Sequence, residues 1–352
     1  MTEDRIRIVV VDDSALFRHL IRDVLNEIPG CSIVGNAEDG KKALQQIADR
    51  DPELITLDVE MPGMNGIDVL REMTRRGDRA RAIMVSRLTA TGAQVTTDAL
   101  LEGAFDFVLK PSGKNPAANK AELHTALEAK ITAYRQSRGQ HTVRQLVSVE
   151  SDADAPHLSR CEVVLIGTST GGPEALRQIL PKLPADLPVP VLVVQHMPPQ
   201  YTSTLARRLN DTCALNVAEA ADDTIVRPGS VLIAPGGRHM RVARRNGQVV
   251  TQLTDDPPEH GCRPAVDYLF RSAVETWQGR VVGVILTGMG RDGTEGCRAL
   301  RERGGCVIAQ HPSGCVVFGM PKSVIEQGLS HRIVPLTKIP ETVIRETCRA
   351  ER

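Results

Sequence analysis

Four charged side chains at the ends of predicted strands form the first group that could do chemistry. Asp12 and Asp13 follow one β-branched run, Asp58 closes a second and Lys110 closes a third. The carboxyl ends of parallel strands share one edge of a sheet, so these groups are expected to converge there. Clustered carboxylates repel one another unless a cation neutralises them, and carboxylate oxygens suit Mg²⁺. An Asp-Asp pair alone often only caps a helix, but its occurrence with Asp58, Ser86 and Lys110 favours an Mg²⁺-binding pocket.

A second group, in the C-terminal half, has the residue types of a hydrolytic triad. Ser169 lies in the stretch GTSTG, which fits the pattern G-x-S-x-G between a predicted strand and a predicted helix. Alone this turn is a weak signal, because similar turns bind phosphate or simply reverse the chain. His196 and Asp292 also follow apolar runs, so a nucleophile, a base and an orienting carboxylate are all predicted at strand ends. Their order, Ser…His…Asp, differs from the orders of α/β-hydrolases, chymotrypsin and subtilisin.

The remaining histidines and the cysteines carry weaker signals. His239 is predicted to lie on a strand and is a candidate for substrate contact, whereas His260 and His311 lie in polar loops and are expected to be solvated. Asp267 is predicted on a helix. The eight cysteines form no CxxC pair, which argues against zinc ribbons and thioredoxin motifs and favours reduced thiols in the cytoplasm.

The first group must be positioned by the elements between residues 5 and 138. Five strands alternating with helices predict a doubly wound, five-stranded parallel sheet covered on both faces. The first helix carries Leu16, Leu20, Val24 and Ile28 at steps of four, with Ser14 as its N-cap. The predicted strands are Ile6–Val11, Ser32–Gly35, Leu54–Asp58, Ala82–Ser86 and Phe105–Lys110, and the predicted helices are Ala15–Ile28, Lys41–Asp49, Ile67–Arg75, Gly92–Leu101 and Lys120–Arg138.

The second group belongs to a separate α/β series. A polar stretch without strong periodicity predicts a linker at residues 136–159, between an N-terminal domain at 1–135 and a C-terminal domain at 160–352. The C-terminal domain is expected to be a Rossmann-like α/β hydrolase. Its predicted strands are Val163–Gly167, Val189–Gln195, Ser230–Ala234, Val281–Gly288 and Cys306–Ala309.

Composition excludes several other classes of protein. The chain has 352 residues with 43 basic and 43 acidic side chains, so a polybasic nucleic-acid or membrane binder is not expected. Aromatic residues make up only 3%, so the cores must be built from Val, Ile, Leu and Ala. No apolar run approaches the ~20 residues that a membrane span needs, and the N-terminus turns acidic before a signal peptide could form. These features predict a cytoplasmic protein without membrane insertion.

The N-terminal domain resembles the receiver domain of two-component response regulators. The resemblance rests on VVVDDS, LDVEMPGMNG, MVS and FDFVLKPSG, which occur in the family's order. It implies phosphoryl transfer from a histidine kinase to a carboxylate, with Mg²⁺ offsetting charge. The implied roles are phosphorylation at Asp58, Mg²⁺ binding by Asp12, Asp13, Asp58 and the backbone carbonyl of Glu60, closure of the Ser86 hydroxyl on the phosphoryl group, charge pairing by Lys110 and a switch aromatic at Phe107.

The whole chain is similar to the chemotaxis protein-glutamate methylesterases. GTSTGGP, QHMPP, APGGRHM, CRPAVDYLF, LTGMGRDG and CVVFGMP carry this resemblance. It implies Ser169, His196 and Asp292 as the triad, the backbone of Met289 at the oxyanion site, and no cofactor for ester hydrolysis. The implied reaction removes methyl groups from glutamate esters on methyl-accepting chemotaxis receptors and releases methanol, with glutamine deamidation as a related activity. The implied phosphodonor is the chemotaxis histidine kinase, and the unphosphorylated receiver is expected to restrict access to the triad.

Two departures from the family pattern and one alternative function follow from the same resemblance. Arg87 stands where a small residue is usual, which would alter domain docking, and His311-Pro312 replaces a commoner acidic pair, which would alter substrate contacts. Receiver domains most often control DNA-binding domains, which makes a transcriptional regulator the alternative. The C-terminal domain has 23 basic and 19 acidic side chains and no clear helix-turn-helix pattern, which argues against that alternative.

Overall fold

A computed structural model describes residues 5–138 and 161–348 of the chain. The chain folds into two compact units, residues 1–135 and residues 136–352. Residues 136–138 continue the last helix of the first unit, and most of the predicted linker lies outside the described residues. Among the helices described, none is long and apolar enough to cross a membrane.

The first unit is a parallel sheet of five strands in the order β2-β1-β3-β4-β5, with helices between successive strands. This arrangement confirms the predicted doubly wound sheet. Strand β3 lies in the centre and is buried along its whole length. The strands are β1 Ile6–Val11, β2 Cys31–Ala37, β3 Leu54–Asp58, β4 Arg81–Ser86 and β5 Asp106–Leu109, and the helices are α1 Ala15–Glu27, α2 Gly40–Arg50, α3 Gly66–Arg76, α4 Ala90–Leu101 and α5 Pro116–Arg138.

Helix α1 begins where the sequence indicates, but its buried face differs from the predicted stripe. The side chain of Ser14 accepts a hydrogen bond from the backbone N–H of Phe17, as an N-cap does. Leu16, however, is 75% exposed, whereas Val24 and Ile28 of the predicted stripe are buried, together with Ile21 and Leu25. A row at steps of four residues drifts around a helix with 3.6 residues per turn, so its members cannot all face one sheet.

The second unit contains a parallel sheet of seven strands in the order β14-β13-β12-β6-β7-β9-β8 and a separate antiparallel hairpin, β10-β11. Its strands are β6 Val163–Thr168, β7 Val191–Gln195, β8 Asn216–Glu219, β9 Ser230–Ile233, β10 His239–Arg245, β11 Gln248–Thr254, β12 Val281–Ile285, β13 Cys306–Gln310 and β14 Arg332–Val334. Its helices are α6 Gly172–Ile179, α7 Tyr201–Asn210, α8 Val266–Trp277, α9 Thr294–Glu302, α10 Met320–Glu326 and α11 Ile339–Thr347.

The observed strands of this unit differ from the predicted ones in number and in length. Strands β8 and β14 were not predicted, because each has only three or four residues and alternates with polar side chains. Strand β12 ends at Ile285 rather than at Gly288, since the following residues leave the sheet to form a loop. The central strands β6, β7 and β12 are fully buried and apolar, which is why the sequence located them well.

Both sheets reverse their strand order at one point. In the first unit β1 has β2 on one side and β3 on the other, and in the second unit β6 lies between β7 and β12. Crossovers on opposite sides of such a strand leave a crevice outside its carboxyl end, where ligands bind in open α/β sheets. The candidate sites of this chain lie at these two points.

Candidate functional sites

The pocket of the first unit collects buried charge beside β1 and β3. Lys110 Nζ lies 2.7 Å from Asp12 Oδ2 and 2.7 Å from Asp58 Oδ2. Asp12, Asp58 and Lys110 are all buried, and Asp13 is exposed at the mouth. The pocket thus holds three carboxylates and one ammonium group, which leaves net negative charge in a low-dielectric environment.

The carboxyl of Asp58 is held in an unfavourable environment for ionisation. Burial raises its pKa, the hydrogen bond from Lys110 lowers it and the charge of Asp12 raises it again, with a net pKa of about 6. The only backbone N–H bonded to it within residues 5–138 is that of Glu60, which donates to Asp58 Oδ1 over 3.3 Å. A cation close to this carboxylate would favour the ionised form that acts as a nucleophile.

The donor set of this pocket fits a hard divalent cation. Asp12, Asp13 and Asp58 each offer one oxygen, and these atoms all lie within 4.8 Å of one another. Magnesium prefers carboxylate oxygens and keeps several water ligands. Because Asp13 is exposed, water can reach the ion from that side of the site. The N–H of Glu60 faces Asp58, and the predicted role of the Glu60 carbonyl as a ligand stays a prediction.

The other residues predicted for this pocket lie on the neighbouring strands. Ser86 is buried at the end of β4, and its hydroxyl donates to the carbonyl of Arg87 over 3.2 Å. Phe107 is buried on β5, where it pairs with Met84 of β4. Their parts in switching stay predictions. Arg87, the first departure from the family pattern, has an exposed side chain.

In the second unit, Ser169 occupies the turn between β6 and α6. Its N–H donates to the carbonyl of Thr287 over 3.0 Å, and its carbonyl accepts from the N–H of Gly172 and from Gln195 Nε2. Gly171 follows with a φ of 80°, a left-handed conformation in which glycine is favoured. A Cβ on Gly172 would lie 1.9 Å from Gln195 Oε1, so the turn needs glycine there as well. These constraints hold a half-buried serine side chain at the carboxyl edge of the sheet.

His196 and Asp292 meet at the same edge of this sheet. His196 follows β7, Asp292 lies in the loop after β12, and His196 Nε2 is 2.7 Å from Asp292 Oδ2. The imidazole is 11% exposed and the carboxylate 2%. The two strands flank β6, so the three triad candidates lie after three adjacent strands. Within residues 161–348, the hydrogen bonds of the His196 ring run to Asp292 and Cys262, and none joins the ring to Ser169.

Backbone donors surround the Asp292 carboxylate. Oδ2 accepts from the N–H of Val266 over 2.7 Å, and Oδ1 accepts from the N–H groups of Asp267 and Gly293 over 2.9 Å each. Burial acts to raise the pKa of Asp292, but the hydrogen bond and charge of His196 and the backbone donors outweigh it, so this pKa is held below its ordinary value. The carboxylate therefore stays ionised, and His196 Nε2 carries the proton between them.

The environment of His196 favours its cationic form. Burial lowers its pKa, whereas the hydrogen bonds with Asp292 and Cys262 raise it, and the net pKa is about 10. In a catalytic triad the carboxylate orients the histidine base and stabilises the imidazolium that forms when the base takes a proton.

The loop after β12 is tied to the serine turn by residues that the sequence did not single out. The Thr287 hydroxyl donates to the carbonyls of Thr170 and Val317 and accepts from the Val317 N–H, while the Thr287 N–H donates to Gln310 Oε1 over 2.7 Å. The Gly288 N–H and carbonyl are both bonded to residues 317–320, but no acceptor for the Met289 N–H is found within residues 161–348. The sequence signals that could have identified these residues were the threonine in LTGMGRDG and the glutamine at the end of β13, both polar side chains beside apolar strands.

The other histidines differ in part from expectation. His239 is fully buried on β10, as its predicted strand indicates; its ring stacks on Tyr268 and hydrogen-bonds Pro257 and Ala265, so it joins elements of the fold. The predicted solvation of His311 is wrong, because its ring is buried and its Nδ1 bonds Ser313 in a short helical turn. His260 is partly exposed, but its Nε2 lies 3.0 Å from the buried Asp267.

Comparisons with known proteins agree along the whole chain. Residues 164–343 match the family "CheB methylesterase" and residues 8–122 match "Response regulator receiver domain". A Desulfotalea psychrophila protein named protein-glutamate methylesterase/protein-glutamine glutaminase is 44% identical over 355 residues, covering 96% of this chain and 98% of the relative. A Thermotoga maritima relative of the same name is 41% identical, covering 98% of this chain and 99% of the relative.

Solved structures give the same result for the second unit. The crystal structure of the Thermotoga maritima CheB methylesterase catalytic domain is 48% identical, covers 53% of this chain and 98% of its own, and has a TM-score of 0.52. The C-terminal domain, which the alternative assigned to DNA binding, matches the methylesterase family over residues 164–343.

Proposed function

Because this chain belongs to the CheB methylesterase family and carries a response regulator receiver domain, we propose that Ser169, His196 and Asp292 are its catalytic triad. The chain is a protein-glutamate methylesterase and protein-glutamine glutaminase that acts in chemotaxis adaptation under control of phosphorylation. The observation that carries the triad assignment is the 2.7 Å pair of His196 and Asp292 beside the serine turn.

The proposed reaction passes through an acyl-enzyme. Ser169 Oγ attacks the carbonyl carbon of a glutamate methyl ester, and its proton moves to His196 Nδ1, because Nε2 is held by Asp292. The oxyanion is stabilised by the N–H of Met289, which has no acceptor within residues 161–348. Collapse of the intermediate releases methanol, which takes the proton from His196. Water then attacks the Ser169 ester by the same route and restores the carboxylate. A glutamine amide would release ammonia instead.

The receiver pocket would control this reaction through Asp58. We infer that a histidine kinase of the chemotaxis system transfers a phosphoryl group to Asp58 and that Asp12, Asp13 and Asp58 hold Mg²⁺. When bound, this cation would offset charge on the phosphoryl oxygens. Lys110 contributes a second positive charge 2.7 Å from Asp58, and Ser86 lies at the end of the adjacent strand. The proposed substrates are glutamates of methyl-accepting chemotaxis receptors, and the proposed location is the cytoplasm.

Release of methanol from methylated receptor membranes tests this function. The purified full-length protein should release methanol, and Ser169→Ala should not. Ser203→Ala is a matched control, because Ser203 is an exposed serine on α7 whose hydroxyl donates to the carbonyl of Gln200. Methanol release by the Ser169 variant at the rate of the Ser203 variant would move the nucleophile elsewhere.

The expected restriction by the receiver has its own test. A fragment of residues 155–352 should hydrolyse receptor esters faster than the unphosphorylated full-length protein. A folded fragment that is slower than the full-length protein would make the receiver a purely positive activator.

A further inference from the structure

The thiol of Cys262 contacts the ring nitrogen of His196 that the proposed reaction needs. Its Sγ lies 3.5 Å from His196 Nδ1, and Asp292 Oδ2 lies 2.7 Å from Nε2 on the other side of the ring. Three backbone N–H groups keep the Asp292 carboxylate ionised, so the proton shared by Asp292 and His196 is carried by Nε2 of the histidine. The proton of Ser169 must therefore go to Nδ1, the position that Cys262 occupies.

A hydrogen-bonded turn places the thiol at this position. The N–H of Glu259 donates to the carbonyl of Cys262 over 3.1 Å, and the N–H of Cys262 donates back over 2.8 Å. The two residues between them, His260 and Gly261, have φ values of 51° and 75°, which is the backbone of a type I′ turn.

Side chains attach this turn to helix α8 at two points. Glu259 pairs with Arg271, and His260 pairs with the buried Asp267. The position of Cys262 is therefore set by a two-residue turn that ion pairs join to helix α8. The contact between the Cys262 thiol and the imidazole follows from this fold.

We propose that Cys262 is a positioning residue for the base, whose thiol holds His196 Nδ1 until Ser169 displaces it. This inference rests on the proposed role of His196. Two consequences follow from a shared ring nitrogen. The Cys262 S–H donates to the carbonyl of His260 over 3.8 Å, which leaves the sulfur to accept from a protonated Nδ1. This contact restrains the imidazole and favours its protonated form, so the enzyme with an empty site is a weaker base than the triad alone would be. The imidazole in turn promotes reaction of the Cys262 sulfur with electrophiles.

The charged groups near the imidazole lie in the loop after β12, on helix α8 and in the turn that carries Cys262. Asp292 contacts the imidazole directly, and Asp267 lies behind Asp292, with Arg271 and His260 as its neighbours on α8 and the turn. Burial raises the pKa of Asp267 to about 6, and the charge of Asp292 adds to this effect. None of these groups is removed when Cys262 is changed, so a variant at this position isolates the thiol.

The other cysteines provide contrast within the same unit. Burial raises the pKa of Cys161 to about 12 and that of Cys297 well above its ordinary value, so these thiols are unreactive. Cys213 is half-buried like Cys262, but its neighbour is Thr212 and burial raises its pKa. It is the matched control.

The first experiment measures the pH dependence of kcat/KM for receptor demethylation by full-length Cys262→Ala, Cys262→Ser and Cys213→Ala. A general base must be neutral, so the rate rises as His196 loses its proton. In Cys262→Ala this rise should move to lower pH by about one unit or more, which increases the rate at pH 7 by about tenfold. Cys262→Ser keeps a hydroxyl that can accept from Nδ1–H and should lie between Cys262→Ala and the parent, and Cys213→Ala should match the parent.

The second experiment needs no variant of Cys262. Iodoacetamide alkylates a thiol when sulfur attacks its methylene carbon; a carbon–sulfur bond forms, iodide leaves, and the thiol proton passes to His196 or to solvent. Alkylation of Cys262, followed by peptide mass spectrometry, should be about tenfold slower in His196→Gln than in the parent protein. Alkylation of Cys213 should be unchanged.

Two results would overturn the inference. One is a pH profile of Cys262→Ala that coincides with that of Cys213→Ala, whatever the absolute rate. The other is equal alkylation of Cys262 with and without His196. Neither result bears on the nucleophile: only activity in Ser169→Ala would show that the proposed function has failed instead.

Discussion

Asp58 and Asp292 occupy corresponding places in the two units and have opposite electrostatic character. Each is buried, 2% exposed, at or after the carboxyl end of a strand next to the point where strand order reverses. Burial and the charge of Asp12 raise the pKa of Asp58, Lys110 lowers it, and the net pKa is about 6. The pKa of Asp292 is lowered despite burial, because His196 and backbone N–H groups donate to it.

This difference shows that the number of hydrogen-bond donors around a buried carboxylate decides how well its ionised form is stabilised. Asp58 accepts one long backbone hydrogen bond and shares one ammonium group with Asp12, so its charge is less fully compensated, which suits its proposed roles in binding a cation and accepting a phosphoryl group. Asp292 accepts three backbone hydrogen bonds in addition to that of His196. His260, Asp267 and Asp292 also place three possible ligand atoms within 4.8 Å, but every carboxylate oxygen there already accepts a hydrogen bond.

The largest expected effect separates the two sites by their nucleophiles. Ser169→Ala should lower hydrolysis by about three orders of magnitude or more, because no neighbouring group replaces the hydroxyl. The same variant should accept a phosphoryl group from a small-molecule phosphodonor with Mg²⁺ as the parent does. Asp58→Asn should show the reverse, with phosphorylation lost and unstimulated hydrolysis kept. Phosphoryl label that persists in Asp58→Asn would place the acceptor at Asp12 or Asp13.

Asp292→Asn tests the part of the comparison that concerns hydrogen-bond donors. Asparagine keeps the shape but removes the charge that stabilises imidazolium, so kcat should fall by about two to four orders of magnitude, less than for Ser169→Ala. Asp267→Asn is the control, since Asp267 contacts His260 and the N–H of Gly296 rather than His196. Equal losses in both variants, measured as methanol release, would mean that packing and not the charge on His196 is responsible.

Stability should change in opposite directions at the two aspartates. The folded-state pKa of Asp58 is raised, so its ionised form destabilises the fold once the pH exceeds the ordinary carboxyl range, and the cost grows until about pH 6. Asp58→Asn should therefore stabilise the first unit at pH 7 by on the order of 2 kcal/mol, and this gain should shrink as the pH falls toward 4.

Asp292 has the opposite sign. Its pKa is lowered, so its charge stabilises the fold above the ordinary carboxyl pKa, and Asp292→Asn should lower the melting temperature at pH 7. Thermal unfolding at pH 7 and pH 4.5 measures both effects. The exposed Asp49→Asn serves as control and should change neither. Destabilisation by Asp58→Asn at pH 7 would contradict the account of its environment.

Magnesium gives the smallest effect. Millimolar Mg²⁺ should stabilise the first unit by about 1 kcal/mol and raise its melting temperature by a few degrees. Asp13→Asn should reduce this shift, and the unfolding of the second unit should not respond, because the clustered carboxylates of Asp267 and Asp292 already accept hydrogen bonds. A similar Mg²⁺ shift in both units would remove the distinction between the sites.

The sequence predicted the sheets and the candidate sites because their signals are local. A buried parallel strand followed by an acidic or nucleophilic residue can be recognised within a few residues, as at Ser169 and Asp58. The exposed Leu16 was misread because steps of four do not follow one helix face. The buried His311 was misread because a polar loop can still be covered by the fold.

Other features depend on contacts between distant residues. Cys262 reaches His196 across 66 positions of the chain, and nothing in CRPAVDYLF indicates that neighbour. Which ring nitrogen Asp292 binds also depends on the path of the loop after β12. Thr287 and Gln310 join three segments by hydrogen bonds that the strand pattern does not reveal.

The most direct test of the whole account is methanol release from methylated receptor membranes by the full-length protein, with and without a phosphodonor and Mg²⁺, in the parent, Asp58→Asn and Ser169→Ala proteins. The phosphodonor should accelerate methanol release by the parent, leave Asp58→Asn at its unstimulated rate and have no effect on the inactive Ser169→Ala. Stimulation of Asp58→Asn to the parent's level, or methanol release by Ser169→Ala, would contradict it.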